Sequence, residues 1–278
     1  MAIRFGPVGL GGVKEAIGNL EKFSKLGLKA CEIAFTYGVY IKDEKDAKEI
    51  GKKAKELDIE LSIHAPYWIN LNSRERRKVE ESKKRILDCC KIGNLLGVTY
   101  VVFHPGYYGN RKVSQKETLG PRKSLDFLGD DKEETYQNIK KEILEMQQDI
   151  KKNKWKVKLA PETTGKVNVF GSIEEIKRLV KETSCYFTLD FAHLLARNQG
   201  KISYKEIYEN FKSFNELHCH FSGINWGEKG ERSHKLTPEN ELKKLLSILP
   251  KNKDITIINE SPNPVLDSVK ALKIYKKL

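Results

Sequence analysis

The chain has little of what marks several large protein classes. Its five cysteines (Cys31, Cys89, Cys90, Cys185 and Cys219) are odd in number and include no Cys-x-x-Cys pair. That excludes a disulfide framework and a cysteine zinc cluster, and makes buried free thiols the expected state. Nowhere do about 18 apolar residues run together, so a membrane span is not expected. A Pro-, Gly- or Ser-rich linker is missing too, which favours one domain over residues 1–278. The N-terminus, Met-Ala-Ile-Arg-Phe-Gly, enters a strand-like segment without the charged and apolar regions of a signal peptide, and a cytoplasmic protein is expected. Acidic residues are in deficit: 51 Lys and Arg face 38 Asp and Glu, a formal charge of +13. This favours a polyanionic partner, although a Lys- and Glu-rich solvated surface gives the same balance.

What is present is alternation. Eight short runs rich in β-branched and aromatic residues lie near Ile3 to Val8, Ala30 to Phe35, Glu60 to His64, Tyr100 to His104, Lys158 to Glu162, Tyr186 to Asp190, Glu216 to His220 and Ile255 to Glu260. Amphipathic charged stretches between them read as helices, among them Gly12 to Leu26, Ala47 to Leu57, Arg74 to Leu96, Glu133 to Lys152 and Glu239 to Leu249. Ser172-Ile-Glu-Glu175 has the form of a capping box, and Thr237-Pro238 that of a cap followed by proline at the first helical position. Eight βα units in an unbroken chain predict an α/β protein, a single (β/α)8 TIM barrel with its active site at the C-terminal ends of the strands. The longest irregular stretch, Gly106 to Asp131, carries Arg111, Lys112, Lys116, Arg122 and Lys123. A loop of that length in a compact domain is usually functional or disordered.

The strand ends carry the chemistry. The third strand closes on Ser62-Ile-His64, the fourth on Val102-Phe-His104 and the fifth on Ala160-Pro-Glu162. The sixth closes on Leu189-Asp190-Phe-Ala-His193, the seventh on Leu217-His218-Cys-His220 and the eighth on Ile258-Asn-Glu260. Any one of these has an ordinary explanation as a helix cap or a lone core histidine. Convergence of imidazoles and carboxylates from separate strands on one barrel face is what a zinc or manganese site needs. Alternation along the seventh strand points His218 and His220 into the barrel and Cys219 into the helical layer; His220 is either a ligand or, the favoured reading, a residue that lines the cavity.

These residues resemble the endonuclease IV family of abasic-site endonucleases over essentially the whole chain. The motifs are His-Ala-Pro-Tyr-Trp-Ile-Asn-Leu at 64–71, Phe-His-Pro-Gly at 103–106, Glu-Thr-Thr-Gly at 162–165, Asp-Phe-Ala-His at 190–193, and Glu260. The resemblance implies three Zn²⁺ ions, with Mn²⁺ an option at one position. His64, His104 and Glu162 would hold the first, and Glu162, Asp190, His218 and Glu260 the second, which makes Glu162 the bridging and catalytic carboxylate. His193 matches the first ligand of a third ion. The family's Asp-x-His element is only approximated by Glu231-Arg-Ser-His234, which has glutamate for aspartate and one extra residue of spacing; Glu231 and His234 are the expected ligands, with Glu228 in reserve.

Three divalent ions bring six positive charges against the four carboxylates Glu162, Asp190, Glu231 and Glu260, an excess that attracts a phosphodiester. The resemblance implies metal-assisted in-line hydrolysis 5′ to an abasic site, leaving a 3′-hydroxyl, together with removal of 3′ blocking groups. The expected partner is double-stranded DNA with abasic sites, met by a monomer. Tyr67, Trp68 and Arg232 are the expected DNA contacts. The loop Thr36-Tyr-Gly-Val-Tyr40 lacks the amide and basic residues usual in the family and offers Tyr40 as a wedge. Arg74, Arg76 and Arg77 crowd a helix start, where the macrodipole disfavours cations; a solvated face and a phosphate contact both account for them. The competing expectation is a sugar isomerase or epimerase, since barrels of the xylose-isomerase type also bind divalent metal through Glu, Asp and His.

Overall fold

Along each inner strand the residues alternate in character by parity, and that alternation builds the barrel. The computed structural model describes residues 3–109 and 127–278. Its elements run β1 (Ile3–Pro7), α1 (Val13–Lys25), β2 (Ala30–Ala34), α2 (Glu44–Glu56), β3 (Glu60–His64), α3 (Arg76–Leu96), β4 (Tyr100–Phe103), α4 (Phe127–Lys152), β5 (Lys158–Pro161) and α5 (Ile173–Thr183). Then follow β6 (Thr188–Asp190), α6 (Phe191–Arg197), α7 (Tyr204–Phe211), β7 (Glu216–Phe221), the pair β8 (Gly223–Gly227) and β9 (Gly230–Lys235), α8 (Glu239–Ile248), β10 (Asp254–Asn259) and α9 (Pro264–Tyr275).

The parallel strands pair in the orders β1-β10-β7-β6 and β2-β3-β4-β5. Parallel bridges Val8 to Glu32 and Glu162 to Thr188 join the two sheets into one eight-stranded barrel. Odd-numbered strand residues such as Phe5, Ile33, Ile63, Phe103, Leu159, Leu189, Cys219 and Ile257 enter the main core between strands and helices. Truncating a fully buried aromatic there, such as Phe103, to alanine costs about 3–5 kcal/mol. Even-numbered residues face the barrel axis, where contacts run between strands that are not sheet neighbours: Thr256 with Glu60 at 3.0 Å, Tyr100 with Glu216, and His218 with Glu32 at 3.1 Å. Because a strand repeats every two residues, a whole set of polar side chains is carried inward in layers.

The TIM barrel and its eight strands match the expectation, with four differences, the first being that α4 begins at Phe127, inside the stretch read as irregular and six residues before Glu133. Helix α2 starts at Glu44, three residues before the apolar periodicity begins, because Asp43 accepts from Lys45 N at 2.7 Å and caps it. The Ser172 capping box forms as read. The reading of Thr237-Pro238 needs correcting: Pro238 itself takes the N-cap position and α8 begins at Glu239. Thr237 is engaged elsewhere, its amide donating to Asp267 at 2.7 Å and its hydroxyl accepting from Asn259 at 3.1 Å. The hairpin β8–β9 has no counterpart in the sequence reading. Among the described residues no helix is long and apolar enough to cross a membrane.

Candidate metal centre

Three groups of His and carboxylate side chains gather at the C-terminal end of the barrel, where parity has already pointed them inward. The first is His64, His104 and Glu162. His64 Nδ1 donates to the Ala65 carbonyl at 2.8 Å, which leaves Nε2 as the ligand atom of the neutral ring, 3.3 Å from Glu162 Oε2. His104 Nε2 lies 2.8 Å from the same oxygen. Both imidazoles thus face one carboxylate oxygen.

The second group is built on Glu162, Asp190 and Glu260. Asp190 Oδ1 caps α6 by accepting from His193 N at 2.6 Å, while Oδ2 is buried without a hydrogen-bond partner among the described residues. On distance alone His193 Nδ1 belongs here, 3.3 Å from Glu162 Oε1 and 3.4 Å from Asp190 Oδ2. That nitrogen, however, is 3.1 Å from the Thr163 carbonyl, an obligate acceptor, so it carries the proton and is not a donor atom for a cation. His220 is the better fourth member: its Nδ1 sits 3.0 Å from Glu162 Oε1 and 3.4 Å from Glu260 Oε1.

His218, expected in this group, is placed elsewhere. It lies two residues lower on β7, with Nε2 3.1 Å from Glu32 Oε2. Both histidines point inward, but a strand rises about 3.3 Å per residue, and only the upper one reaches the cluster. On geometry His220 rather than His218 faces Glu162 and Glu260, and neither histidine lines the cavity. Glu32 escaped the sequence reading altogether. Its signal is a single charge inside the apolar strand Ala-Cys-Glu-Ile-Ala, at inward parity and fully buried.

The third group is His193, Glu231 and His234. His193 Nε2 is 3.5 Å from Glu231 Oε2, and His234 Nε2 is 3.7 Å from Glu231 Oε1. His234 Nδ1 is held by Ser222 Oγ at 2.6 Å, which orients Nε2 toward the group. In a regular strand residues three apart face opposite sides. Here Trp226 pairs with Glu231 and Asn225 with Ser233, so Arg232 is an extra, bulged residue that brings Glu231 and His234 to the same side. The extra residue of spacing is thus absorbed in the backbone. Glu228 is exposed in the hairpin turn, its carbonyl accepting from Gln199 at 3.1 Å.

The electrostatics fit a cation-binding cluster. Burial alone would raise the Glu162 carboxyl, but the charges of His220 and His104 and hydrogen bonds from His104 and His193 hold it well below the usual carboxylate range. Burial would lower His64, yet the hydrogen bond and charge of Glu162 lift it to about 9. His193 and His220 are also lifted against burial, chiefly by Asp190 and Glu32 respectively. Asp190 is raised by burial, and Glu32 is lowered, its own burial being outweighed by His220 and His218. Without cations, protons on imidazole must neutralise these carboxylates. The partnerless Asp190 Oδ2 carries a desolvation cost that a bound metal ion would remove, so the residues fit the group.

A cavity of about 590 Å³ opens above the cluster, lined by His64, His104, His193, Glu231, His234 and Glu260. Tyr67 lines it as well, 64% exposed, with its ring centroid 6.4 Å from that of His64. Neighbouring Trp68 is 65% exposed on the outer rim. Tyr40 is not free to act as a wedge: it packs edge-on against Phe35 and donates its hydroxyl to the Gly11 carbonyl at 2.9 Å. The exposed aromatic of that loop is Tyr37. Arg232 is exposed on the hairpin with its guanidinium over Gly227. Arg76 pairs with the buried Glu142 and Arg77 with Glu81, so both cations at this helix start have carboxylate partners within the protein. The basic residues Arg111, Lys112, Lys116, Arg122 and Lys123 lie outside the described residues.

Fold and cluster together define an α/β barrel with histidine and carboxylate groups that could hold metal ions at the C-terminal ends of its strands. The chain belongs to the xylose isomerase-like TIM barrel family, whose model matches residues 20–278. It is 36% identical over 276 residues to the uncharacterized protein MJ0133 of Methanocaldococcus jannaschii, covering 93% of this chain and 91% of that one. Among solved structures it superposes on SacUVDE with a TM-score of 0.73 at 16% identity, covering 100% and 98% of the two chains. A D-tagatose 3-epimerase-like protein gives 0.69 at 19% identity, over 100% and 97%. Endonuclease IV from Thermus thermophilus gives 0.65 at 19% identity, over 100% and 98%. At these identities the solved structures share the fold, and they include both endonucleases and sugar epimerases.

Proposed function

We propose that this protein is a metal-dependent phosphodiester hydrolase that incises duplex DNA 5′ to abasic sites, leaving a 3′-hydroxyl, and also clears blocked 3′ ends. The observation that carries this reading is the third group, His193, Glu231 and His234, adjoining the two groups that share Glu162. A reaction needing a single divalent ion is fully served by Glu162, Asp190, His220 and Glu260. It would leave His64, His104, His193, Glu231 and His234 converging on the same cavity without a purpose. Several adjoining cation positions are what displacement at a phosphodiester uses.

His64, His104 and Glu162 would hold one ion, Glu162, Asp190, His220 and Glu260 a second, and His193, Glu231 and His234 a third; zinc suits this mixed imidazole and carboxylate set. Bound there, the ions supply Lewis acidity toward the phosphoryl group and lower the pKa of water. The chain's own part is placement. Glu162 splits its two oxygens between His64 and His104 on one side and His193 and His220 on the other. Asp190, fixed by its cap on α6, turns one oxygen into the site. Exposed Tyr67 and Trp68 offer apolar faces beside the cavity, suited to a nucleotide turned out of its stack. Lys166 on the cavity wall and the formal charge of +13 favour a polyanion. The endonuclease IV motifs at strands three to six support the abasic site as the lesion.

The test is a duplex carrying a tetrahydrofuran abasic analogue, which has no aldehyde and cannot be cut by lyase chemistry. Zinc-loaded protein should make one incision 5′ to the analogue, leave a 3′-hydroxyl, and lose the activity to a chelator. An intact strand alongside conversion of a ketose to its epimer or aldose would transfer the assignment to the sugar-isomerising branch of the fold.

A further inference from the structure

Beneath the cluster lies a second layer of ionisable groups that none of the three metal groups needs. Glu32 from β2 and His218 from β7 are buried, and they meet across the barrel axis, since β2 and β7 are not neighbours in either sheet. Glu32 Oε2 accepts from Ser62 Oγ at 2.7 Å and from His218 Nε2 at 3.1 Å. Glu32 Oε1 has one close neighbour, His220 Nε2 at 3.0 Å, and the two are in contact without being in line. The other ring nitrogen of His220 faces Glu162 and Glu260 in the layer above.

We propose that Glu32 is a positioning residue that fixes His220 as its Nε2–H tautomer, leaving the Nδ1 lone pair directed at the cation held with Glu162, Asp190 and Glu260. The inference rests on reading those four residues as ligands, not on the substrate. The argument is one of hydrogen-bond inventory. A neutral imidazole carries one proton, and an ionised carboxylate can only accept. Both ring nitrogens of His220 lie 3.0 Å from a carboxylate oxygen, Nδ1 in a hydrogen bond with Glu162 and Nε2 against Glu32, and in the dry interior of the barrel an unprotonated nitrogen at either place would set a lone pair against an anion, so the metal-free ring carries both protons. A cation held with Glu162 would displace the Nδ1 proton and leave the Nε2 proton, which faces Glu32. Ser62 and His218 saturate the other oxygen and hold the carboxylate plane, so Glu32 cannot rotate away. A carboxylate behind a ligating histidine also makes the ring a better donor to the metal.

His218 acquires a role from the same contacts. Donating through Nε2, it leaves its own Nδ1 as a buried acceptor without a donor among the described residues. It therefore supports Glu32 rather than the ion, which accounts for a second inward histidine on β7 below the cluster. Glu32, His218 and His220 are spaced so that they would also accommodate a cation of their own. None of them lines the cavity above.

The experiment uses the full chain labelled with ¹⁵N-histidine and loaded with zinc. Long-range ¹H–¹⁵N correlation should show His220, assigned through His220→Asn, protonated at Nε2 and metal-bound at Nδ1. Competition with a chelator should then show Glu32→Gln losing on the order of 10- to 100-fold in affinity for one zinc ion. Glu32→Asp should recover part of that loss. A purely structural Glu32 would lower the melting temperature of the metal-free protein while leaving zinc affinity and the His220 spectrum unchanged, which would overturn the proposal. A proton on Nδ1 of His220 in the zinc-loaded wild type overturns it as well, and that measurement stands even if Glu32→Gln does not fold. So does a fourth zinc ion that disappears in Glu32→Gln. A wild type that takes up no zinc removes the metal-centre reading and this inference with it. Zinc-loaded protein that leaves abasic DNA intact removes only the proposed substrate.

Discussion

Gly230 lies so close to Gly165 that a Cβ on it would stand 2.1 Å from the Gly165 carbonyl oxygen. The contact is locked by the bond from Glu231 N to that oxygen at 3.0 Å, and it clamps the β8–β9 hairpin onto the loop after β5. Glu231 and His234 reach His193 only because of it. Gly230 also has φ of +86°, a region that favours glycine. Gly230→Ala should therefore cost about 1–3 kcal/mol of stability and lift the hairpin from its seat, releasing one of the three ions while the barrel stays folded. Metal content and thermal denaturation check this together; full metal content in a folded Gly230→Ala protein would count against the clamp.

Glu162 uses both carboxylate oxygens, Oε2 toward His64 and His104 and Oε1 toward His193 and His220. An amide of the same shape offers one acceptor and one donor, and its NH₂ is a poor neighbour for a cation. Glu162→Gln should lower single-turnover incision by a factor on the order of 10²–10³, with abasic duplex binding retained within a few-fold. Wild-type turnover in that variant would displace Glu162 from the centre of the reaction.

The hairpin also distinguishes its two glutamates. Glu231 is 3.5 Å from His193 Nε2, while Glu228 is exposed in the turn. Glu231→Ala and His234→Ala should each remove about one ion and slow cleavage by on the order of 10², and Glu228→Ala should change neither. Elemental analysis of the three variants beside their rates is the measurement. An ion lost from Glu228→Ala alone would place the carboxylate in the other register.

How much of this was legible follows from what each segment had to specify locally. The strands around Ile33, Ile63, Val101 and Leu189 are read directly because apolar runs between charged helices leave no other pattern. His64, His104, Glu162 and Asp190 are found because each ends such a run. The β8–β9 hairpin is nearly all polar and glycine, and it is held by the Gly165 to Gly230 contact, which no local pattern encodes. The depths of His218 and His220 differ only by two residues along one strand, and the stagger of the neighbouring strands decides which one meets Glu162. Glu32 is isolated in its segment and gains meaning only from partners 30 and 186 residues away in sequence.

Protons and cations compete for the same nitrogens, and the direction of the His64 shift fixes how. In the metal-free protein His64 is raised from 6.5 to about 9 by Glu162, so near pH 7 its Nε2 carries a proton that an incoming ion must displace. Zinc uptake at pH 7 should release protons, measurable as a dependence of the binding heat on buffer ionisation enthalpy. Stability follows with opposite signs in the two states. A group whose pKa is raised by folding contributes fully below its unfolded value and loses that contribution as pH climbs through the folded one, so the His64–Glu162 pair weakens between pH 6.5 and about 9 in the metal-free protein. Over the same window the neutral imidazole becomes available and zinc binds more tightly, which stabilises the folded state by mass action. The gap in melting temperature between zinc-loaded and chelator-treated protein should therefore widen from pH 6.5 to about 9. A gap that narrows over that range would mean that His64 is not among the groups the metal must deprotonate.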